Sequence, residues 1–511
     1  MPGRFFITTP IYYVNADPHV GHAYTTIMAD VIARHHRQRG EDVFFLTGTD
    51  EHGAKIARAA EGAGRTPKQH ADDLSSRFRA MGEVLGASND FFIRTTDEEH
   101  TRVVQQLIAR MHERGDIYKG SYGGWYCTSC EAFYNEGDLA EGSTCPTHQR
   151  PVEWIEEENW FFRLSGYRDR LLAHYDAVPD FVRPKSRMNE ARRMVEDGLD
   201  DLSMSRAQVE WGVTVPWDPA HTVYVWVDAL FNYYTALTYA RPGEDLLERL
   251  WPPTLQLMAK DILKFHAVIW PALLMSAELA LPERLFVHGY ILKGGERLSK
   301  TTGNIVDPFP YIERYGLDAL RYYLCREIRF GEDGTFTDEG FHQRYTSELA
   351  NDFGNLLSRT TKMIERYRDG VVPADPGGDA DLAAEAATVR DQVVACFDRD
   401  DVTGAVEAAW GWVRRLNRLV EEREPWVLAK DDARAGDLDQ ALFSLAAGLR
   451  VAAIVLWPVL PTSCGAVLAA LGQPPSGVAL ADAGWGGGVP CATVVPPEPL
   501  FPRIDADEVT A

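Results

Sequence analysis

The chain is short of positive charge for its size. Its 511 residues hold 52 Lys and Arg against 75 Asp and Glu, a net charge of −23. That balance lacks the broad basic face of a nonspecific nucleic-acid binder, although one specific RNA held by local contacts is compatible with it. Cysteine is also scarce. There are seven, an odd number, with Cys127, Cys130 and Cys145 clustered and Cys325, Cys396, Cys464 and Cys491 scattered. This excludes a fully paired disulfide framework and predicts a reducing, cytoplasmic setting in which the cluster holds metal. No stretch approaches the roughly 20 uninterrupted apolar residues of a membrane span. The richest, residues 451–460, is short and contains Pro458. The N-terminal MPGRFFITTPIYYV has one early Arg and neither an apolar h-region nor a small-residue cleavage site, so no secretory signal is expected. The final EVTA carries no lipidation signal. Internal repeats and low-complexity runs are missing too.

What is present fits a multidomain globular protein, because 511 residues exceed one hydrophobic core. Residues 5–9 (FFITT) read as a buried strand, a Pro- and Asp-rich loop follows, and apolar helical periodicity runs over 24–36. Residues 42–48 read as a second strand, so a parallel β-loop-α-β unit with a right-handed crossover is expected. Ligands bind outside the carboxyl ends of such strands, which predicts that His19, His22 and Asp50 meet. Residues 116–222 read as an insertion rich in aromatics. A parallel-sheet pattern is expected to resume at 222–227 and again at 285–288. From 348 the chain turns Ala-, Leu- and Arg-rich with helical periodicity, predicting a bundle to 471. The Pro- and Gly-rich tail, 472–511, is expected to be extended. The expected fold is thus α/β with a helical appendage, divided at 1–115, 116–222, 223–347, 348–471 and 472–511.

Three motifs carry chemistry. His19-Val20-Gly21-His22 stands where a helix should begin, and a helix N-terminus presents free N–H groups to phosphate. Gly21 permits close approach of a nucleotide to the backbone. The four residues alone leave open a helix-start loop that happens to hold two histidines. Gly294-Gly295-Glu296-Arg297-Leu298-Ser299-Lys300-Thr301 is not a Walker loop, since no Gly immediately precedes Lys300. It can close over a triphosphate or be a solvated turn. Cys127-x-x-Cys130, fourteen residues, then Cys145-x-x-His148 is the most specific signal: four protein ligands make a closed structural zinc knuckle. Asp50-Glu51-His52 follows a strand, where acidic groups bind a metal, a ribose or an ammonium or merely cap a turn. Trp226, Tyr233, Phe265 and His266 fit either an apolar pocket or plain core.

Together these residues resemble the methionyl-tRNA synthetase family of class I aminoacyl-tRNA synthetases, over residues 6–471. HVGH is similar to the family's HIGH signature and RLSKT to its KMSKS loop. TPIYYVNADPHVGHAYT and FLTGTDEHG resemble its first two blocks, and VYVWVDALFNY and KDILKFHAVIWPALL its amino-acid and adenosine blocks. Asn355-Leu356-Leu357-Ser358-Arg359 and Glu424-Pro425-Trp426 are similar to its two anticodon elements. The resemblance implies a Rossmann-type catalytic domain, an inserted zinc-knuckle connective peptide and a helical anticodon-binding domain. It implies ATP with Mg²⁺, one structural Zn²⁺, methionine, and initiator and elongator methionine tRNAs as partners of a monomer with no membrane attachment.

The resemblance further assigns residues. His19, His22 and Lys300 would be catalytic, with Gly21, Asp261 and Ser299 also holding ATP. Methionine would meet Asp50 through its ammonium and Ile11, Tyr13, Trp226, Ala229, Leu230, Tyr233, Ile262, Phe265 and His266 through its side chain. Asn355, Arg359 and Trp426 would read the anticodon, and Cys127, Cys130, Cys145 and His148 would hold zinc. The chain departs from the family in its mobile loop, where Arg297, Leu298 and Thr301 replace Lys, Met and Ser. Arg keeps the charge but not the shape of Lys, and Leu nearly conserves the volume of Met. Two competing readings are a synthetase-derived enzyme that passes an aminoacyl-adenylate to a non-tRNA acceptor, and a noncatalytic RNA-binding protein. The anticodon residues speak against the first, and His19, His22 and Lys300 together against the second.

Overall fold

The computed structural model describes residues 3–127, 132–134, 136–140, 142–146, 150–207, 209–298 and 304–504. Its centre is a parallel sheet. Strand β1 (Arg4–Thr8) lies between β3 (Asp42–Asp50) and the strand Leu255–Ala259, which pairs in turn with Leu285–His288. Strands β2 (Tyr12–Tyr13) and β4 (Phe91–Arg94) both pair with β3. These strands are apolar almost continuously, as burial of both sheet faces requires. Where β1 has β3 on one side and Leu255–Ala259 on the other, the strand order reverses. Such a switch point opens a crevice at the carboxyl ends of the strands.

Helix α1 (Val20–Gln38) connects β1 to β3. It is longer than the 24–36 expected, because its first turn is capped by His19 rather than by an apolar signal. The insertion builds an antiparallel sheet in which Ile117–Cys127 pairs with Glu153–Phe162 from Ile117↔Phe162 to Tyr126↔Glu153. One part of it does not stay apart: Val182–Arg183 joins the main sheet beside Leu285–Phe286.

Two expectations are corrected. Residues 222–227 do not form a parallel strand: only Thr222–Val223 is extended, antiparallel to Ser205–Arg206, and Val225–Leu230 is helical. A short apolar run surrounded by core carries no period that separates strand from helix. The tail is not extended throughout either, since Leu480–Asp482 makes a helical turn. It folds back irregularly on the helices, with Thr493 bridging to Val371, and Val489, Val494 and Phe501 buried.

The helical region begins earlier than 348. Asp338–Arg344 runs through wider π-type turns (Tyr345–Gly354) into Asn355–Arg368. Helices Ala380–Phe397, Val402–Arg423, Ala435–Leu456 and Pro461–Ala470 follow. Residues 432–456 are long and apolar enough to cross a bilayer, but 94% of their most apolar window is buried inside the bundle, as in the core helix of a folded domain.

A buried ion pair joins α1 to a helix that precedes the bundle. Arg321, on helix Leu317–Glu327, donates to Asp30 of α1 at 2.6 Å, and both side chains are fully buried. The guanidinium also donates to the carbonyls of Leu85, Pro458 and Val459. Asp30 accepts further from Arg34 and from the backbone and hydroxyl of Ser88. Burial alone would raise the Asp30 pKa; Arg321, Arg34 and Ser88 outweigh it and hold the carboxyl below its ordinary value. Arg321→Ala, which leaves that carboxylate under-compensated, should cost about 3–5 kcal/mol in equilibrium denaturation. A loss under about 1 kcal/mol, the scale of a surface pair, would contradict the role given to it.

Candidate active site

The carboxyl ends of four neighbouring strands open into one cleft of about 870 Å³. Each contributes the residues just past its end. Pro10 and Ile11 follow β1, Asp50 ends β3, Asp261 and Ile262 follow Leu255–Ala259, and Gly289 and Tyr290 follow Leu285–His288. Helix Val225–Leu230 supplies Trp226, Ala229 and Leu230, and Tyr233 comes from the helix after it.

The N-terminus of α1 forms one side of the cleft. His19 caps it in extended conformation (φ −143°, ψ 174°), and its Nδ1 accepts from the Gly21 amide at 3.0 Å. The Nδ1 of His22 accepts in turn from the His19 amide at 3.2 Å. This reciprocal cap determines the tautomers. With both Nδ1 lone pairs taken by backbone N–H groups, each neutral ring carries its proton on Nε2. The two imidazoles, 3.9 Å apart between centroids, are thus donors added to the amides and partial positive charge of the helix end. Gly21 leaves room for this: a Cβ there would stand 2.8 Å from Cε1 of His19.

Opposite lies an apolar recess. The rings of Trp226 and Phe265 stack at 3.8 Å and 9°. Behind them Tyr233 donates to Nε2 of His266 at 2.8 Å, while Nδ1–H of His266 donates to the Ile262 carbonyl at 3.1 Å. Burial lowers the His266 pKa to about 4, so the recess carries no charge from this ring. Tyr13 borders the same recess.

The triplet after β3 divides its duties. Asp50 faces the cleft. Glu51 turns away to a bidentate pair with Arg94 at 2.7 and 2.9 Å. His52 donates to Asp228 at 2.7 Å, and His100 grips the other oxygen at 2.7 Å. Burial would raise the Asp228 pKa, but His52 and His100 bring it down to about 2. Asp228 sits on the helix of Trp226, Ala229 and Leu230, so this hydrogen-bonded cluster ties the recess to the residues just past the end of β3.

All ten residues expected to hold methionine line the cleft, as do His19, Gly21, His22 and Asp261. Leu298 lines it as well; Ser299, Lys300 and Thr301 lie outside the described residues. Asn355, Arg359 and Trp426 are far along the chain, in the bundle. Asn355 is exposed one helical turn from Arg359, whose guanidinium lies 5.6 Å above the Trp426 ring and 2.9 Å from Glu421. Cys127 and Cys145 are buried together with Val152 against Trp125, Tyr134 and Leu139; Cys130 and His148 lie outside the described residues.

Sequence reasoning missed several cleft residues: Tyr12, Thr25, Lys55, Tyr134, Lys264 and His288. His288 was legible as the last residue of a parallel strand. Its Nδ1–H donates to the Gly289 carbonyl at 2.8 Å and its Nε2 accepts from the Thr25 hydroxyl at 2.9 Å, tying strand Leu285–His288 to the second turn of α1. Burial lowers its pKa to about 4 as well.

Both buried rings are therefore neutral where an unfolded histidine titrates. Stability they preserve is fully present above the unfolded pKa of about 6.5 and declines as pH falls from there toward 4. An NMR titration should find His266 and His288 unprotonated throughout pH 5–8; a midpoint near 6.5 for either would contradict the assignment.

Comparison with known proteins agrees with this architecture. The family model for tRNA synthetases class I (M) matches residues 5–361. A methionine–tRNA ligase of Thermotoga maritima is 45% identical over 99% of this chain and 81% of its own length. One from Streptomyces coelicolor is 45% identical over 98% and 97%. Mycobacterium tuberculosis methionyl-tRNA synthetase, solved in complex with methionyl-adenylate, superposes with a TM-score of 0.93 at 43% identity, covering 98% of this chain and all of that one. A switch-point cleft with paired histidines at a helix N-terminus, a full-length likeness and a family match over most of the chain lead to one conclusion: this chain belongs to the methionine-type class I tRNA synthetases.

Proposed function

We propose how this cleft carries out the family's reaction, the ATP-dependent joining of methionine to tRNA. A methionine carboxylate oxygen attacks the α-phosphorus of MgATP, the bond to pyrophosphate breaks, and methionyl-adenylate forms. The 2′-hydroxyl of the tRNA's terminal adenosine then attacks the methionyl carbonyl, and AMP leaves. Neither step needs a covalent bond to the protein, so catalysis rests on positioning and charge stabilisation.

The observation that carries the reading is the pair of histidines that cap the α1 N-terminus and line the same cleft as an uncharged aromatic recess. His19 and His22 stabilise charge on the triphosphate as the α-phosphorus becomes five-coordinate, and Gly21 lets the nucleotide approach. Asp261 takes the ribose. Lys300, with Ser299, holds the departing pyrophosphate. Asp50 receives the ammonium of methionine. Its thioether lies among Ile11, Tyr13, Trp226, Ala229, Leu230, Tyr233, Ile262, Phe265 and His266, recognised by shape and by sulfur–aromatic contacts worth about 0.3–1.5 kcal/mol each.

Asn355, Arg359 and Trp426 read an unstacked CAU anticodon by hydrogen bonding and stacking. Their proximity in the bundle favours a tRNA acceptor over a non-tRNA one, and both initiator and elongator methionine tRNAs present this anticodon. A cytoplasmic monomer accommodates these roles. Cys127 and Cys145, brought into one buried cluster, are fitting zinc donors, with Cys130 and His148 completing the set. Four protein ligands leave no open position, so zinc serves as a structural crosslink.

Two measurements test these roles. Lys300→Ala should slow methionine-dependent pyrophosphate exchange about 10²–10³-fold, whereas Trp426→Ala should weaken tRNA charging and spare exchange. A Lys300 variant within twofold of wild type, or a Trp426 variant losing both activities equally, would remove that residue from its role. Metal analysis should find about one zinc per chain, lost in Cys145→Ser; retention by the variant would refute the ligand set.

A further inference from the structure

On the insertion, one tryptophan is kept in solvent. Trp154 is 57% exposed, while the other exposed large apolar residues among those described are four valines. Its position is not incidental. Trp125 pairs directly with Tyr134 on one side and with Trp154 on the other, so the three aromatics form a row across three adjacent strands. Directly paired residues share a sheet face. The inner end of the row, Tyr134, lines the catalytic cleft. The outer end stands two strands away, about 10 Å at the usual strand spacing.

The row is packed at its inner part and open at its end. Trp125 and Tyr134 pack against Cys127, Cys145 and Val152. Trp154 meets Trp125 edge-on, at 5.5 Å and 79°. Its ring lies over Gly123, where a Cβ would stand 2.9 Å from the indole. The glycine thus lets the indole lie close over the strand. A fixed, exposed aromatic ring beside a cleft suits an unpaired base, since every base has a π-face. Glu153 and Glu158, exposed on the same strand, disfavour a phosphate contact there.

We infer that Trp154 is a stacking platform for the single-stranded 3′ end of the tRNA as it enters the cleft, with the Tyr134–Trp125–Trp154 row as its support. This rests on the tRNA-charging reading above. Trp154 is a positioning residue: it holds an unpaired nucleotide near the cleft, and the reacting atoms lie further in.

The test compares wild type, Trp154→Ala and Trp154→Phe in three assays. Trp154→Ala should raise KM for methionine tRNA about tenfold, within the range that one stacked base is worth. Methionine-dependent pyrophosphate exchange should stay at the wild-type rate, and Trp154→Phe should restore most of the loss. The increase should persist at high salt, because no phosphate contact is removed. Methionine tRNA shortened by its terminal CCA should inhibit wild type and Trp154→Ala equally. Wild-type KM in Trp154→Ala overturns the proposal. So does a parallel loss of exchange, which would make Trp154 merely a cover for Gly123, and so does weaker inhibition by the shortened tRNA, which would move the contact away from the 3′ end. Failure of the charging reading is distinct: wild type itself would charge no methionine tRNA.

Discussion

Asp30 is one carboxylate with no access to solvent, and much of the molecule is arranged around keeping it ionised. Arg321 reaches it from helix Leu317–Glu327, Arg34 from its own helix, and Ser88 from the loop before β4. A buried pair is costly to desolvate and earns little net stability against an apolar substitute; its use lies in fixing one arrangement. Here the arrangement fixed is that of α1. Further along the helix, Gln38 donates to the Ile454 carbonyl and Arg39 pairs with Asp398, so the helix lies against the bundle at its carboxyl end while its amino end faces the cleft. The element that brings His19 and His22 to the cleft is the element the bundle grips.

The cleft separates two recognition problems by their chemistry. At the α1 terminus the proposed ligand is anionic, and the donors are oriented before it arrives, because the reciprocal cap commits each Nδ1. Preorganised donors of this kind need no reorganisation as charge develops. Across the cleft the proposed ligand is a thioether with no strong hydrogen bond to offer. Polar groups there satisfy one another instead, Tyr233 with His266 and His266 with the Ile262 carbonyl. Asp228 carries a full charge behind the recess and is hydrogen-bonded by a histidine at each carboxylate oxygen.

Much of this was legible in the sequence because its signals are local. The buried strands at 5–9 and 42–48, the helix start at HVGH and the helical periodicity past 348 each express a short-range rule. The cleft residues could be named because a parallel sheet gathers them at strand ends. What escaped depends on distant partners. Residues 222–227 read as a strand by composition, yet Val225–Leu230 is a helix whose Asp228 is held by His52 and His100 from distant parts of the chain. Val182–Arg183 carries no signal that it closes the main sheet. Asp30 and Arg321, 291 positions apart, look like any polar residues within helices. The Tyr134–Trp125–Trp154 row exists only through strand register, which a sequence of scattered aromatics does not disclose.

If the recess reads shape rather than charge, its selectivity has a characteristic profile. A missing methylene is worth roughly 1–3 kcal/mol, or about 10–200-fold. The direct measurement is pyrophosphate exchange by the wild-type chain with each of the twenty amino acids and with homocysteine. The account predicts rapid exchange with methionine, exchange with homocysteine reduced by about that factor, and none of consequence with the others. Comparable exchange with any second standard amino acid, or none with methionine, would contradict it.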